Sequence, residues 1–241
     1  MVKWKRWLLW GLIGFCAALL LYVINQQILT NNSWSTWSLP LTGKIIVLDA
    51  GHGGVDGGAV GKGDIQEKEI ALDISLKLRD YLQQAGALVI MTRETDKDLA
   101  GEGTQRIRHR KTEDLLKRTE IVNTSNADMF ISIHLNAIPS SRWYGAQVFY
   151  NPSIDENEKM AKFIQDQIRS NLENTTRKAK PINNVYMIRK AEVPGALVEV
   201  GFLSNPNERE LLKTKLYQTK IAASIYQGIM RYYTNEPAPN D

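Results

Sequence analysis

The chain of 241 residues is 43% apolar and 23% charged, with a formal net charge of +4; this balance excludes both an intrinsically disordered chain and a many-spanning membrane protein. Its single cysteine, Cys16, excludes a disulfide framework and a cysteine-ligated metal site. The densest basic cluster, Arg106 to Lys111, has no interleaved aromatics for base stacking, so no nucleic-acid partner is expected.

Lys3, Lys5 and Arg6 precede an apolar stretch over residues 7–24, and positive-inside asymmetry assigns residues 1–6 to the cytoplasm. Roughly 18 apolar residues lie at the border between a signal-peptide core and a short membrane span. No small-x-small site follows Val23, and Phe15 before Cys16 argues against lipoprotein processing. An uncleaved transmembrane anchor is therefore the expectation, with a cleaved signal as the alternative; either leaves the folded part outside the cytoplasm. Residues 25–43 read as a linker whose Trp34 and Trp37 suit either a membrane interface or an ordinary tether. A single folded domain is expected over 44–235, followed by a short tail, 236–241.

From Lys44 onward β-branched runs alternate with amphipathic segments, predicting an α/β fold: one mixed, mostly parallel twisted sheet of about six strands flanked by helices. Strands are expected at 44–48, 87–92, 129–133, 146–150, 185–188 and 196–200. A helix should start near Glu67, because Ile70, Ile74, Leu78 and Leu82 recur on one face and Gly86 stops it. Further stripes are Leu115, Thr119 and Val122; Met160, Ile164, Ile168 and Leu172; and Ile221, Ile225 and Ile229. Asn205-Pro206-Asn207-Glu208 combines an N-cap residue, a proline at the first helical position and an acid three residues after the cap, so another helix should begin there.

His52 sits in a glycine-rich turn just beyond the first strand, and His134 ends the third, followed by Asn136. Two of only three histidines thus occupy equivalent strand ends, where open α/β sheets bind ligands. Glu67 opens the first helix after the loop carrying His52; a carboxylate is favoured there by the helix dipole alone, and Glu69 and Asp73 compete with it. Two imidazoles and one carboxylate make a catalytic zinc set with one position open. Glu199 lies within an apolar strand, where an ionised acid is costly without a partner or a task. Either Arg93, Arg118 or Arg189 pairs with it, or it acts as a general base beside the metal. His109 has basic neighbours that oppose a cation and reads as part of a solvated face or mobile loop.

Four segments then resemble the zinc-dependent N-acetylmuramoyl-L-alanine amidases of the amidase 3 family: Asp49-Ala50-Gly51-His52-Gly53-Gly54, Glu67-Lys68, Ser132 to Ala137, and Glu199 to Asn205. The resemblance runs from Lys44 to about Tyr233. It implies His52, Glu67 and His134 as zinc ligands, Glu199 as catalytic acid/base, and peptidoglycan as substrate, cleaved at the amide between the muramic lactyl group and L-alanine. Asn136 and Arg93 are expected to touch substrate. Leu135 is larger than the family's usual residue, but its side chain should point away from the metal. Arg110 to Leu115 resembles the spore-cortex branch, implying a role in muramic lactam formation and germination, with a partner deacetylase or other sporulation protein. Two alternatives stay open: a zinc carboxypeptidase or deacetylase, and a membrane-tethered wall-binding protein on a degenerate hydrolase scaffold.

Overall fold

The computed structural model describes residues 2–31, 39–234 and 236–239; Trp34 and Trp37 lie outside these. Two compact units result, one up to residue 38 and one from Leu39 onward. The first is a single helix, α1 (Val2–Asn31). Among the described residues no helix is long and apolar enough to cross a membrane. The transmembrane expectation is corrected to that extent: the apolar stretch over residues 7–24 falls below the roughly 20 consecutive apolar residues that a membrane-spanning helix needs.

The second unit runs β1 (Ile45–Ala50), β2 (Val60–Gly61), β3 (Ile65–Gln66), α2 (Glu67–Gln84), β4 (Leu88–Met91), α3 (Ile107–Thr124), β5 (Met129–Asn136), β6 (Gln147–Tyr150), α4 (Asp155–Leu172), β7 (Lys180–Pro181), α5 (Tyr186–Lys190), β8 (Gly195–Phe202), α6 (Pro206–Leu212) and α7 (Lys215–Tyr233). Six strands form one sheet in the order β4-β1-β5-β8-β6-β7, while β2 and β3 make a separate hairpin. The β4, β1, β5 and β8 strands are parallel, and β6 runs antiparallel to β8. The mixed, mostly parallel sheet is as expected.

Strand side chains alternate between two cores. Ile46, Leu48, Ile131, Ile133 and Val198 pack with α2, α4 and α7 on one face; Val47, Phe130 and Leu197 pack with Val122 of α3 and Met187 and Ile188 of α5 on the other. This period of two is what a sheet covered on both faces requires. Toward the C-terminal ends, the positions on the α3 face cease to be apolar: Asp49, Ser132, His134 and Glu199 continue the rows begun by Val47, Phe130 and Leu197. The sheet thus becomes polar on one face at one edge.

One strand assignment is corrected. Residues 185–188 are not a strand but the start of α5, which buries Met187 and Ile188; the sixth strand is the two-residue β7. Pro181 lacks an N–H for a ladder, which suits a sheet edge. The α6 start is as expected: the Asn205 side chain accepts from the backbone N–H of Asn207 and Glu208, both at 3.0 Å.

Candidate active site

The β1 end is locked before the chain turns. Asp49, 1% exposed, accepts from Thr92 Oγ1 at 2.9 Å, Ser132 Oγ at 2.6 Å and Arg118 at 2.8 Å. Burial would raise its pKa, but Arg118, His134 and these hydrogen bonds outweigh it and hold the carboxyl at about 2. Arg118 also donates to the carbonyls of Ala50 and His52. Arg93 donates to those of Ala50, Gly51 and Lys68. Two buried guanidinium groups therefore satisfy the loop's inward-facing carbonyls, each of which would cost about 1–3 kcal/mol if left unpaired.

Out of that fixed turn His52 emerges with φ +61°, a strained backbone for a residue with a Cβ. Its Nδ1 meets Asp56 Oδ2 at 2.8 Å, which turns Nε2 toward Glu67 Oε2, 3.2 Å away. Glu67 is 2% exposed; its carboxylate accepts from Ala59 N at 2.7 Å and Leu135 N at 2.9 Å and faces His134 Nδ1 at 2.9 Å. The two imidazoles lie edge to face, centroids 5.0 Å apart. Gly58, at φ +70°, lets the loop pass: a Cβ there would stand 2.5 Å from Glu67 Oε2 and 2.6 Å from His52 Cδ2.

His52, Glu67 and His134 each present one ligand atom, all within 4.8 Å of one another, a metal-site geometry. Burial opposes charge on His52, yet hydrogen bonds to Asp56 and Glu67 push its pKa up to about 9. His134 is raised as well, Glu67 outweighing burial, and Glu67 is held well below the carboxylate range by both imidazoles despite its burial. The pocket therefore demands positive charge. Protons on the rings are one way to supply it, and a divalent cation among two nitrogens and an oxygen is another, so the donor set fits the metal inferred from sequence.

Glu199 sits in register beside His134 on the neighbouring parallel strand. Its Oε2 is buried and, among the described residues, has no hydrogen-bond partner. Burial first, and Glu67 second, raise its pKa to about 7, against the pull of His134 and His52. No arginine among the described residues pairs with it, so the ion-pair reading falls.

Of the remaining expected residues, Asn136 is half-buried two residues beyond His134, where the β5–β8 register shifts and it pairs with Phe202. Arg93, at 1% exposure, has its donors committed to backbone carbonyls and supports the loop from beneath. Leu135 points into the core, and His109 is exposed on α3. Sequence reasoning overlooked Asp56, whose carboxylate orients the His52 ring and is paired by Lys111 Nζ at 2.7 Å. Its spacing four residues after His52, inside the glycine-rich turn, was the available signal, since ligating histidines commonly give their second nitrogen to a carboxylate.

Residues 46–231 match the family model described as N-acetylmuramoyl-L-alanine amidase. The chain is 56% identical to the germination-specific N-acetylmuramoyl-L-alanine amidase of Bacillus subtilis over 99% of both proteins. It is 32% identical to the amidase LytC of the same organism, over 80% of this chain and 36% of that one. Among solved structures it resembles the CwlD amidase of Clostridioides difficile, determined in complex with the GerS lipoprotein, with a TM-score of 0.78 and 43% identity over 80% of this chain and 100% of that one.

Proposed function

The chain belongs to the N-acetylmuramoyl-L-alanine amidase family, Amidase_3, and from that premise we propose how its residues divide the work of hydrolysing the amide between the lactyl group of N-acetylmuramic acid and L-alanine. His52, Glu67 and His134 hold a zinc ion, with Asp56 orienting His52. When bound, zinc supplies Lewis acidity that polarises the amide carbonyl and acidifies water.

Glu199 takes a proton from the attacking water and delivers it to the departing alanine nitrogen, leaving a carboxylate on the glycan and a free amino terminus on the peptide. The observation that carries this role is the buried, unpartnered Oε2 of Glu199 alongside His134. A structural acid in that position would need a donor for that oxygen, as buried Glu208 finds in the backbone N–H groups of Gly145 and Phe202.

Mass analysis of purified peptidoglycan after digestion tests the reading. Peptides beginning with L-alanine and lactyl-bearing glycan should appear, vanish with a chelator and return with added zinc. Free D-alanine or acetate as the product would instead support the carboxypeptidase or deacetylase alternatives.

The 56% identity to a germination-specific amidase supports action on spore-cortex peptidoglycan, upstream of a deacetylase working on the same muramic residue to close the lactam. The resemblance to a CwlD solved with a lipoprotein supports a lipoprotein partner. The basic residues at 3, 5 and 6 and the exposed apolar side chains of α1, among them Leu19, Leu20 and Leu21, support a membrane tether with catalysis outside. Mass spectrometry of the protein from sporulating cells should find the N-terminus intact, and a terminus beyond Val23 would overturn the tether.

A further inference from the structure

Trp143 and Tyr144, in the loop between β5 and β6, stand 53% and 61% exposed, yet their backbone is held from several sides. Arg177 donates to the carbonyls of Tyr144 and Gly145, and its guanidinium lies 5.8 Å from the Trp143 ring centroid and 5.2 Å from that of Phe202. The Glu208 carboxylate accepts from Gly145 N at 2.8 Å and from Phe202 N at 2.7 Å. Gly145, at φ +86°, leaves no room for a side chain, since a Cβ would meet the Asn174 carbonyl oxygen at 2.2 Å. Two large aromatics kept in water by so many fixings are costly for folding and useful for binding, because a pinned ring loses little freedom when a ligand stacks on it.

These rings border a cleft of about 470 Å³ that also contains Asn174, Thr175 and Arg177. The Asn174 Nδ2 is spent on Tyr217 OH at 2.7 Å, while its Oδ1 is buried with no partner among the described residues, an acceptor without a donor. The cleft lies toward the same end of the sheet as the candidate active site: Phe202, against which Arg177 packs, ends β8 three residues past Glu199. Aromatic faces, whose electron-rich surface attracts C–H groups, together with amide, hydroxyl and guanidinium groups, match a polyhydroxylated sugar. We propose that the cleft of Trp143, Tyr144, Asn174 and Arg177 is a saccharide subsite, holding the glycan strand next to the muramic residue under attack; it rests on the amidase reading above.

Binding of peptide-free glycan strands to full-length Glu199→Gln protein, followed by calorimetry, tests this without turnover. Glu199→Gln protein should bind the strands, and adding Trp143→Ala should weaken binding at least tenfold, with Trp143→Phe retaining most of it. In the active enzyme, Trp143→Ala should raise KM for polymeric substrate about tenfold with kcat unchanged, and leave hydrolysis of a single N-acetylmuramoyl-peptide unaltered. No glycan binding, preference for free stem peptide, or an equal loss on both substrates would overturn the subsite. Failure of the unmodified enzyme to cleave N-acetylmuramoyl-peptide would instead refute the amidase reading.

Discussion

Glu199→Gln should lower kcat/KM by about a thousandfold, within the 10²- to 10⁴-fold range typical of a lost general acid–base group, while the protein still folds and still binds zinc. The amide is isosteric with the carboxyl but cannot take a proton, so packing beside His134 is preserved and only the chemistry is removed. A structural acid would behave otherwise: neutralising a buried, unpaired carboxylate leaves activity intact and, if anything, stabilises the fold. The sign of the pH dependence follows from the same group. Burial raises its pKa to about 7, and a general base must be ionised, so activity should rise with pH through the acid limb; a neighbouring cation moves that limb lower. A Glu199→Gln variant retaining normal turnover would remove the base from the scheme.

The second large effect is expected from His52→Ala and His134→Ala, each of which should abolish hydrolysis without rescue by excess zinc. Removing either imidazole leaves one nitrogen and one carboxylate, too few protein ligands for a tetrahedral catalytic site. The fold should tolerate the loss, because Glu67 keeps its backbone bonds from Ala59 and Leu135. Asp56→Asn should be milder, since an outer carboxylate typically contributes 10- to 100-fold to affinity or activity. Hydrolysis of peptidoglycan by the three variants at saturating zinc measures that order, and wild-type rates in either histidine variant would refute it.

Much of this arrangement was legible in the chain. The apolar runs that became β1, β5 and β8 are bounded by polar or glycine-rich turns, and histidines at two such ends are rare enough to be informative. Glu199 stood out because a carboxylate within a buried strand needs a reason. Residues 185–188 were misread because a run of four apolar or aromatic residues fits a buried strand and a helical turn equally well; only packing against Val122, Phe130 and Leu197 decided for the helix. The surroundings of Arg93 were hidden for a different reason. An arginine near a site suggests substrate, and nothing in the sequence shows that loop carbonyls from Ala50 to Lys68 would claim its donors. Asp56 and the Asp49–Arg118 pair depend on contacts between segments 40 to 70 residues apart or on the shape of a glycine turn, neither of which periodicity reveals.

Metal content is the most direct measure of the central claim that His52, Glu67 and His134 together hold one cation beside Glu199. Elemental analysis of purified protein should find zinc near one equivalent in the wild type and in Glu199→Gln, and next to none in His52→Ala, Glu67→Ala or His134→Ala. Undiminished zinc in those three variants, or zinc lost with Glu199→Gln, would contradict it.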